Sequence, residues 1–390
     1  IIFLMNLLKS SLQRELNQFF RVLKKRLLVP QVVVKSAFTK ARKKFSFTAF
    51  IELNDKLVEI VREIFGLKNW HGLRLVAIDG STIKVPDSKE IREHFGAQQG
   101  SSEQDFPMGR ISESFDVLNQ ITLDASLSPL KDSDELTAAY QHLAKAGEND
   151  LFLFDRGYPA FWLFAAVLYF GANFCARVKN SWSRETRNFF ESGKSDQTLV
   201  ILPSSTSKRA LSELGIAIGT LTVRLARVEL DNGETEILIT SLLDQEKYST
   251  ALFKELYFKR WPIEEDYKTM KYRLELGNFS GKTVESIYQD FHAKVLSKNL
   301  TAILAIPAKE IIDQNNASRK YRYKTNFTEA LSNMKNTIVY LFQACNPLSW
   351  LKYFHRLVIT IIEPIRPGRK SRRRMKLQRR NFSLSYKSIL

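Results

Sequence analysis

The chain has 390 residues, 44% hydrophobic and 26% charged, with 16 Gly and 11 Pro; this is the make-up of a folded protein of about two or three domains, not of a disordered, collagen-like or disulfide-stapled one. Lys and Arg number 59 against 41 Asp and Glu, a formal net charge of +18. An excess of one sign this large favours a polyanionic partner, nucleic acid ahead of anionic membrane. Cys175, Cys345 and five scattered histidines supply neither a disulfide framework nor a zinc motif, so the chain reads as cytosolic and any metal as a hard cation held by carboxylates.

In chain order, IIFLMNLLK is too short for a signal peptide and passes into an amphipathic pattern. The opening Ile is read as a trimmed start, or Met5 as the true one. SLQRELNQFFRVLKKRL has helical apolar spacing and closes at Pro30, and SAFTKARKKF is a short basic helix. Ser46 caps a third helix, FTAFIELNDKLVEIVREIFG, which stops at Gly66. Residues 1–70 therefore form a helical N-terminal region, with two readings: a helix-turn-helix-like DNA contact, or a helical cap on the next domain.

From Leu73 the texture changes. LRLVAIDGSTIKVP predicts two strands around a Gly-Ser turn, and FDVLNQITLDASLSPL one long strand or a strand pair. SDELTAAYQHLAKAG is a helix from Ser133 to Gly147, and DLFLFDRGYP a short apolar strand ending in a charge. The longest apolar run, AFWLFAAVLYFGANFCARV, contains Gly171 and Asn173 and follows Asp155–Arg156; it reads as a buried helix and a buried strand, not a membrane span. Residues 71–180 thus predict an α/β unit, a mixed sheet flanked by helices. QTLVILP and TLTVRLARVELDNGETEILITSLL, with an Asp-Asn-Gly hairpin signal, predict a β-rich insertion at 181–250. Helices follow over 251–300 and 301–365. The tail, 366–390, has nine Lys and Arg between Arg366 and Arg380 and no acid there, the composition of a disordered arm lying along phosphates.

Three acids stand out. Asp79 closes LRLVAI, Asp155 closes LFLF, and Glu264 lies within LYFKRWPIEEDYKTMK. A carboxylate at the tip of a buried strand is costly unless something positive neutralises it. Two strand-end acids and a helix acid suit a pair of Mg²⁺ ions, which can activate water or a 3′-hydroxyl for in-line phosphoryl displacement. Taken singly, each Asp also fits a strand-end turn satisfied by backbone amides. Nothing in the pattern suggests a Ser, Cys or His nucleophile. Tyr257, Arg260, Glu264 and Lys271 fall near one helical stripe, so phosphate-gripping groups would share a face with a metal-binding acid. The alternative is an exposed face with Glu–Lys pairing. Pro262 starts or kinks this helix, which puts Tyr257 and Arg260 on a preceding turn.

The spacing Tyr257-x2-Arg260-x3-Glu264-x6-Lys271, with Trp261 after the arginine, resembles the YREK signature of DDE transposases in the insertion sequence four family. AIDGSTIKVP is similar to that family's first-aspartate motif and LFLFDRGYPAFWLF to its second. FDVLNQITLDA, SAFTKARKKFSFTAFIELND and the RPGRKSRRR tail are also of its kind, so the resemblance covers nearly the whole chain. It implies an RNase H-like core interrupted by a β-rich insertion between the second aspartate and the glutamate. Asp79, Asp155 and Glu264 would be the catalytic, metal-binding acids, with Asp79 bridging two Mg²⁺ ions, for which Mn²⁺ can substitute. Tyr257, Arg260, Lys271 and Arg156 would bind DNA, and Trp261 would hold an unstacked base or fill a core position. The implied function is a cut-and-paste transposase that cleaves the ends of an insertion sequence and transfers them into target DNA. Its partners would be its terminal inverted repeats, target DNA and a second copy of itself, in the bacterial cytoplasm or nucleoid, with no membrane. Two rivals stay open: an RNase H-like nuclease without strand transfer, and a catalytically silent DNA-binding derivative.

Overall fold

The computed structural model describes residues 1–6, 10–26, 30–99, 105–132, 134–230, 233–343 and 346–366. They fall into two units assembled from segments far apart in sequence: Arg62–Thr82 with Arg110–Tyr267, and Ile1–Val61 with Ile83–Gly109 and the chain from Lys268 onward. The principal strands are β1 (Arg74–Lys84), β2 (Ala97–Gln99), β3 (Asp105–Asp116), β4 (Ile121–Pro129), β5 (Asp150–Phe154), β6 (Asn173–Val178), β7 (Asp196–Ile201), β8 (Leu221–Glu229) and β9 (Thr235–Thr240).

The first unit is built on a mixed sheet ordered β4-β3-β1-β5-β6-β9-β8-β7. β1, β5 and β6 run parallel, with Leu75 opposite Leu151 and Phe152 opposite Phe174. Strands covered on both faces need continuous apolar sequence, and Leu75–Ile78 and Leu151–Phe154 are all buried. The helix Phe161–Tyr169 links β5 to β6, and Phe164 stacks on Phe174 at 4.3 Å. Gly171, at φ +77, turns the chain from this helix into the strand, as its sequence position predicts. β9, β8 and β7 then add antiparallel onto β6. The architecture is α/β, a mixed sheet flanked by helices, as the sequence pattern predicts.

The expected pair of strands around Gly80–Ser81 is instead the single strand β1. The apolar run ends at Ile78, which mimics a strand end, but the polar residues that follow remain extended. Gly80 serves close approach, not a turn: a Cβ there would lie 3.3 Å from Glu135 Cγ and 3.4 Å from Tyr158 Oη. The helix Glu135–His142 is capped by Asp134, whose carboxylate accepts from Thr137 N at 2.8 Å; Ser133 lies outside the described residues. The 181–250 stretch contains β7–β9 and also the helices Arg184–Glu191 and Ser205–Glu213. Gly233, at φ +83, falls in the β8–β9 connection, and the Asp-Asn that precedes it lies outside the described residues.

The second unit is mainly helical. Its core gathers Phe3, Leu16, Phe50, Leu296, Ile338 and Phe354 from the helices Ile2–Met5, Leu12–Lys24, Thr48–Ile64, Val284–Ala305, Phe327–Gln343 and Pro347–Thr360. Arg42, from the basic helix Lys35–Arg42, is buried: Nη2 meets Asp290 at 3.0 Å, Nε meets Gln289 at 2.7 Å and Nη1 meets Ser280 at 2.8 Å. One of that helix's basic groups is therefore a structural anchor. β2 pairs with the head of β3 here, and the strands β10 (Tyr323–Thr325) and β11 (Ile362–Pro364) pair with each other. The basic tail lies outside the described residues from position 367, as does Cys345; Cys175 is buried. Among the described residues no helix is long and apolar enough to cross a membrane.

Candidate active site

Burial along β1 relaxes at Asp79, directly after Ile78, and Asp155 directly follows the last residue of β5. β1 and β5 are adjacent and parallel, with Ala77 opposite Leu153. Two residues further along that register, Asp79 stands level with Asp155. Each Asp also accepts a local amide, Asp79 from Gly80 N at 2.9 Å and Asp155 from Gly157 N at 2.7 Å.

The supposed single helix stripe is broken. Tyr257 lies on the helix Thr250–Phe258, Arg260 and Trp261 in a link, and Glu264 in the first turn of the helix Pro262–Lys268. Lys271 lies on the π-helical turn Thr269–Arg273, in the other unit. Pro262 causes the break, because it lacks an amide hydrogen and its ring clashes with a preceding turn. Arg260 and Glu264 nevertheless meet across the break. Tyr267 Oη donates to the Asp79 carbonyl at 2.7 Å, tying the Glu264 helix to β1. The buried Arg260 donates from Nη2 to Glu264 Oε1 at 2.7 Å, and its Nη1 stands 3.9 Å from Asp79 Oδ2.

The charges are strongly coupled. Burial, reinforced by Asp155 and Glu264, raises Asp79 to about 6 against the opposing pull of the Gly80 amide and Arg260. Burial works against the Arg260 charge, but Tyr257, Asp79, Glu264 and Asp155 outweigh it and hold the guanidinium more firmly protonated. Burial also lifts the Tyr257 hydroxyl to about 12, with Arg260 and Arg177 pulling the other way.

Among the described residues, no three carboxylate, imidazole or thiol groups converge closely enough to hold a metal ion. The positive charge beside Asp79 and Glu264 is that of Arg260. The donor chemistry still fits a hard divalent cation: oxygen ligands only, one of them driven toward neutrality by burial and by its acidic neighbours.

Several residues at this locus carried little signal in the sequence. A cavity of about 270 Å³ is lined by Arg156, Arg177, Lys179, Asn180, Thr235 and Glu236, and Arg177 meets Glu236 at 2.8 Å. A charge within the apolar strand NFCARV was the one available clue to Arg177. Tyr158 and Tyr267 look like ordinary core aromatics until their hydroxyls are located. Trp261 is 52% exposed and Phe258 54%, which overturns the buried-core reading of Trp261.

Ser112, His142 and Asp124 have the connectivity of a nucleophilic triad, with His142 Nε2 2.9 Å from Ser112 Oγ and His142 Nδ1 2.7 Å from Asp124 Oδ2. Ser112 and His142 are buried, 2% and 1% exposed, so the group is a brace between the β3–β4 hairpin and the following helix. Burial would raise the Asp124 pKa, but His142 and Lys145 hold it well below the usual carboxylate range.

The sequence matches the family described as a transposase DDE domain over residues 70–300. Transposase InsG for insertion sequence element IS4, from Escherichia coli (strain K12), is 24% identical over 281 residues, covering 71% of this chain and 62% of InsG. The InsZ protein of that strain is 34% identical over 90 residues, 23% of this chain and 30% of InsZ. The chain therefore spans less than two thirds of the length of either relative. A cryo-EM structure of the piggyBac transposase synaptic complex with hairpin DNA aligns at 8% identity and a TM-score of 0.40, covering 87% of this chain and 66% of that one. The 70–300 match takes in more than half of the chain and includes Asp79, Asp155 and Glu264; the chain belongs to the DDE transposase family.

Proposed function

We propose that this chain is a transposase that cuts DNA at the ends of an insertion sequence and joins those ends to target DNA, with Asp79, Asp155 and Glu264 as its catalytic acids. The observation that supports this reading is that three acids from distant parts of the chain lie about one arginine: Asp79 level with Asp155 on neighbouring parallel strands, and Glu264 bonded to Arg260, which stands 3.9 Å from Asp79. DDE transposases use a divalent metal, and the finer assignment is two Mg²⁺ ions, replaceable by Mn²⁺. When bound, the cations would activate the attacking water or 3′-hydroxyl and offset charge on the leaving oxygen.

Asp79 would serve both cations, and Asp155 and Glu264 one each. Arg260, Tyr257 and Arg156 would hold phosphate oxygens, and Lys271 is assigned the same role. Arg177 and Lys179 extend the basic wall of the cavity beside Arg156. Trp261 and Phe258 offer exposed aromatic surface to an unstacked base. Residues 1–70 and the tail at 366–390 are assigned to DNA contact, 71–180 and 251–300 to the chemistry, 181–250 to the insertion and 301–365 to helical support. Two copies would pair the two ends, in the bacterial cytoplasm or nucleoid.

The test is incubation with a plasmid carrying the element's native flanking DNA, comparing wild type with Glu264→Ala, with Mg²⁺ present or chelated. Mg²⁺-dependent cuts at the element's ends are expected, lost in the variant while DNA binding survives. Equal cutting by Glu264→Ala would remove Glu264 from the site. Cutting without joined products would favour the nuclease reading, and binding without cutting the silent derivative.

A further inference from the structure

We infer that the helix Leu12–Lys24 reads base edges at the ends of the insertion sequence through Arg14, Gln18 and Arg21, and that the basic helix Lys35–Arg42 rests on phosphates. This rests on the transposase reading above and deepens it by naming the face that recognises the DNA. Leu12, Leu16, Phe19, Phe20 and Leu23 turn one side of the first helix to the core of its unit. At 3.6 residues per turn, Arg14, Gln18 and Arg21 fall on the opposite side, and all three are exposed. The only acid in that helix, Glu15, is 4% exposed and is occupied: Oε1 accepts from Ser10 N at 2.8 Å and Oε2 from Lys335 Nζ at 2.7 Å. Protein surfaces ordinarily intersperse both signs, so an outward face of arginine and amide with its one acid turned inward is more than a solvated face.

The two helices divide by side-chain chemistry. Arginine and glutamine make paired hydrogen bonds to guanine and adenine edges, whereas lysine is a point charge suited to phosphate. The exposed cations of residues 35–44 are Lys35, Lys40, Lys43 and Lys44, and the one arginine there, Arg42, is the buried anchor described above. Gln13 ties the helices together: its Nε2 donates to the Val33 carbonyl at 2.9 Å and its Oε1 accepts from Lys35 N at 2.8 Å. Phe3 adds to this by meeting Phe19 of one helix at 5.3 Å and Phe38 of the other at 4.8 Å. A cavity of about 390 Å³ is lined by Arg14, Asn17, Gln18 and Arg21 and, from the helix Phe327–Gln343, by Lys335. From Arg14 to Arg21 the helix rises about 10 Å, roughly three base-pair steps, and a major groove about 12 Å wide admits one helix.

The test is the charge-preserving double variant Gln18→Ala/Arg21→Lys of the full chain. Fluorescence anisotropy across salt measures its affinity for a duplex carrying the native end of the insertion sequence and for an unrelated duplex of equal length, beside thermal melting. The expected result is an affinity for the end duplex lowered about 10- to 100-fold, with the unrelated duplex, the salt slope and the melting temperature as in wild type. Lys40→Ala should instead weaken both duplexes alike and flatten the salt slope by about 0.9; an unchanged slope would remove the helix Lys35–Arg42 from the phosphates. If wild type does not distinguish the two duplexes, the end-binding reading falls and this inference with it. If wild type distinguishes them and the double variant keeps the same ratio, or loses both affinities alike, only the inference is overturned. Weakened binding with a lowered melting temperature also overturns it, because the two side chains then support the fold.

Discussion

Asp79 is held in a conflict that its neighbours do not resolve. Burial and the nearby Asp155 and Glu264 disfavour its charge, while the Gly80 amide and Arg260 favour it, and the balance raises its pKa from 3.8 to about 6. A carboxylate with a raised folded-state pKa contributes stability that is fully present below pH 3.8 and is lost as pH rises through 6. Across that window the ionised group costs the metal-free protein up to about 3 kcal/mol. Asp79→Asn should therefore raise the melting temperature of the metal-free protein at pH 8, with the gain vanishing near pH 4. A gain of equal size at both pH values would detach it from ionisation. At this scale much was legible: an acid after four apolar residues, or Tyr, Arg, Glu and Lys at set spacing, is a local pattern. Arg177 was not, because an Arg in an apolar strand acquires meaning only from Glu236 beside it.

Among the elements, the helix Phe161–Tyr169 and strand β6 follow the sequence pattern closely, because Gly171 separates two apolar runs of different lengths. β1 was misread for a related reason. Its burial relaxes at Asp79 while its backbone continues, and hydrophobicity reports burial before it reports extension. The β7–β9 segment is secured to the helix Thr250–Phe258 by Arg224, which is 1% exposed. Its Nε donates to Asp196 at 2.9 Å, its Nη1 donates to the Tyr248 carbonyl at 2.6 Å, and Thr250 Oγ1 donates to Asp196 at 2.6 Å. Removing one partner of a buried pair leaves a charge uncompensated, at a cost of about 3–5 kcal/mol. Arg224→Met should lower the unfolding free energy read from a urea titration by that amount, moving the midpoint to lower urea. Arg209→Ala, which breaks an exposed pair with Glu213, should leave the urea midpoint close to that of wild type. Similar midpoints for the two variants would refute the distinction.

For the whole molecule, the net charge of +18 carries a prediction of its own. Each phosphate contact releases counterions, so log affinity for duplex DNA should fall linearly with log salt, with a slope of about −0.9 per contact. Deleting 366–390, with its nine Lys and Arg up to Arg380, should flatten that slope; an unchanged slope in filter-binding titrations would exclude the tail from phosphate contact. The sequence by itself determined the chemical vocabulary: two acids that close apolar runs, a third within a Tyr-Arg-Glu-Lys spacing, a basic balance and the order of strands and helices. Those follow from residue type and hydrophobic period, which are properties of short stretches. Only the tertiary structure decided that β1 passes straight through Gly80 and that Pro262 splits the helix while Arg260 still reaches both Asp79 and Glu264. It also decided that the Tyr158 hydroxyl is buried beside Gly80 with no hydrogen-bond partner among the described residues. Each of those depends on packing between segments tens to hundreds of residues apart, and no local pattern encodes which distant neighbour will fill the space.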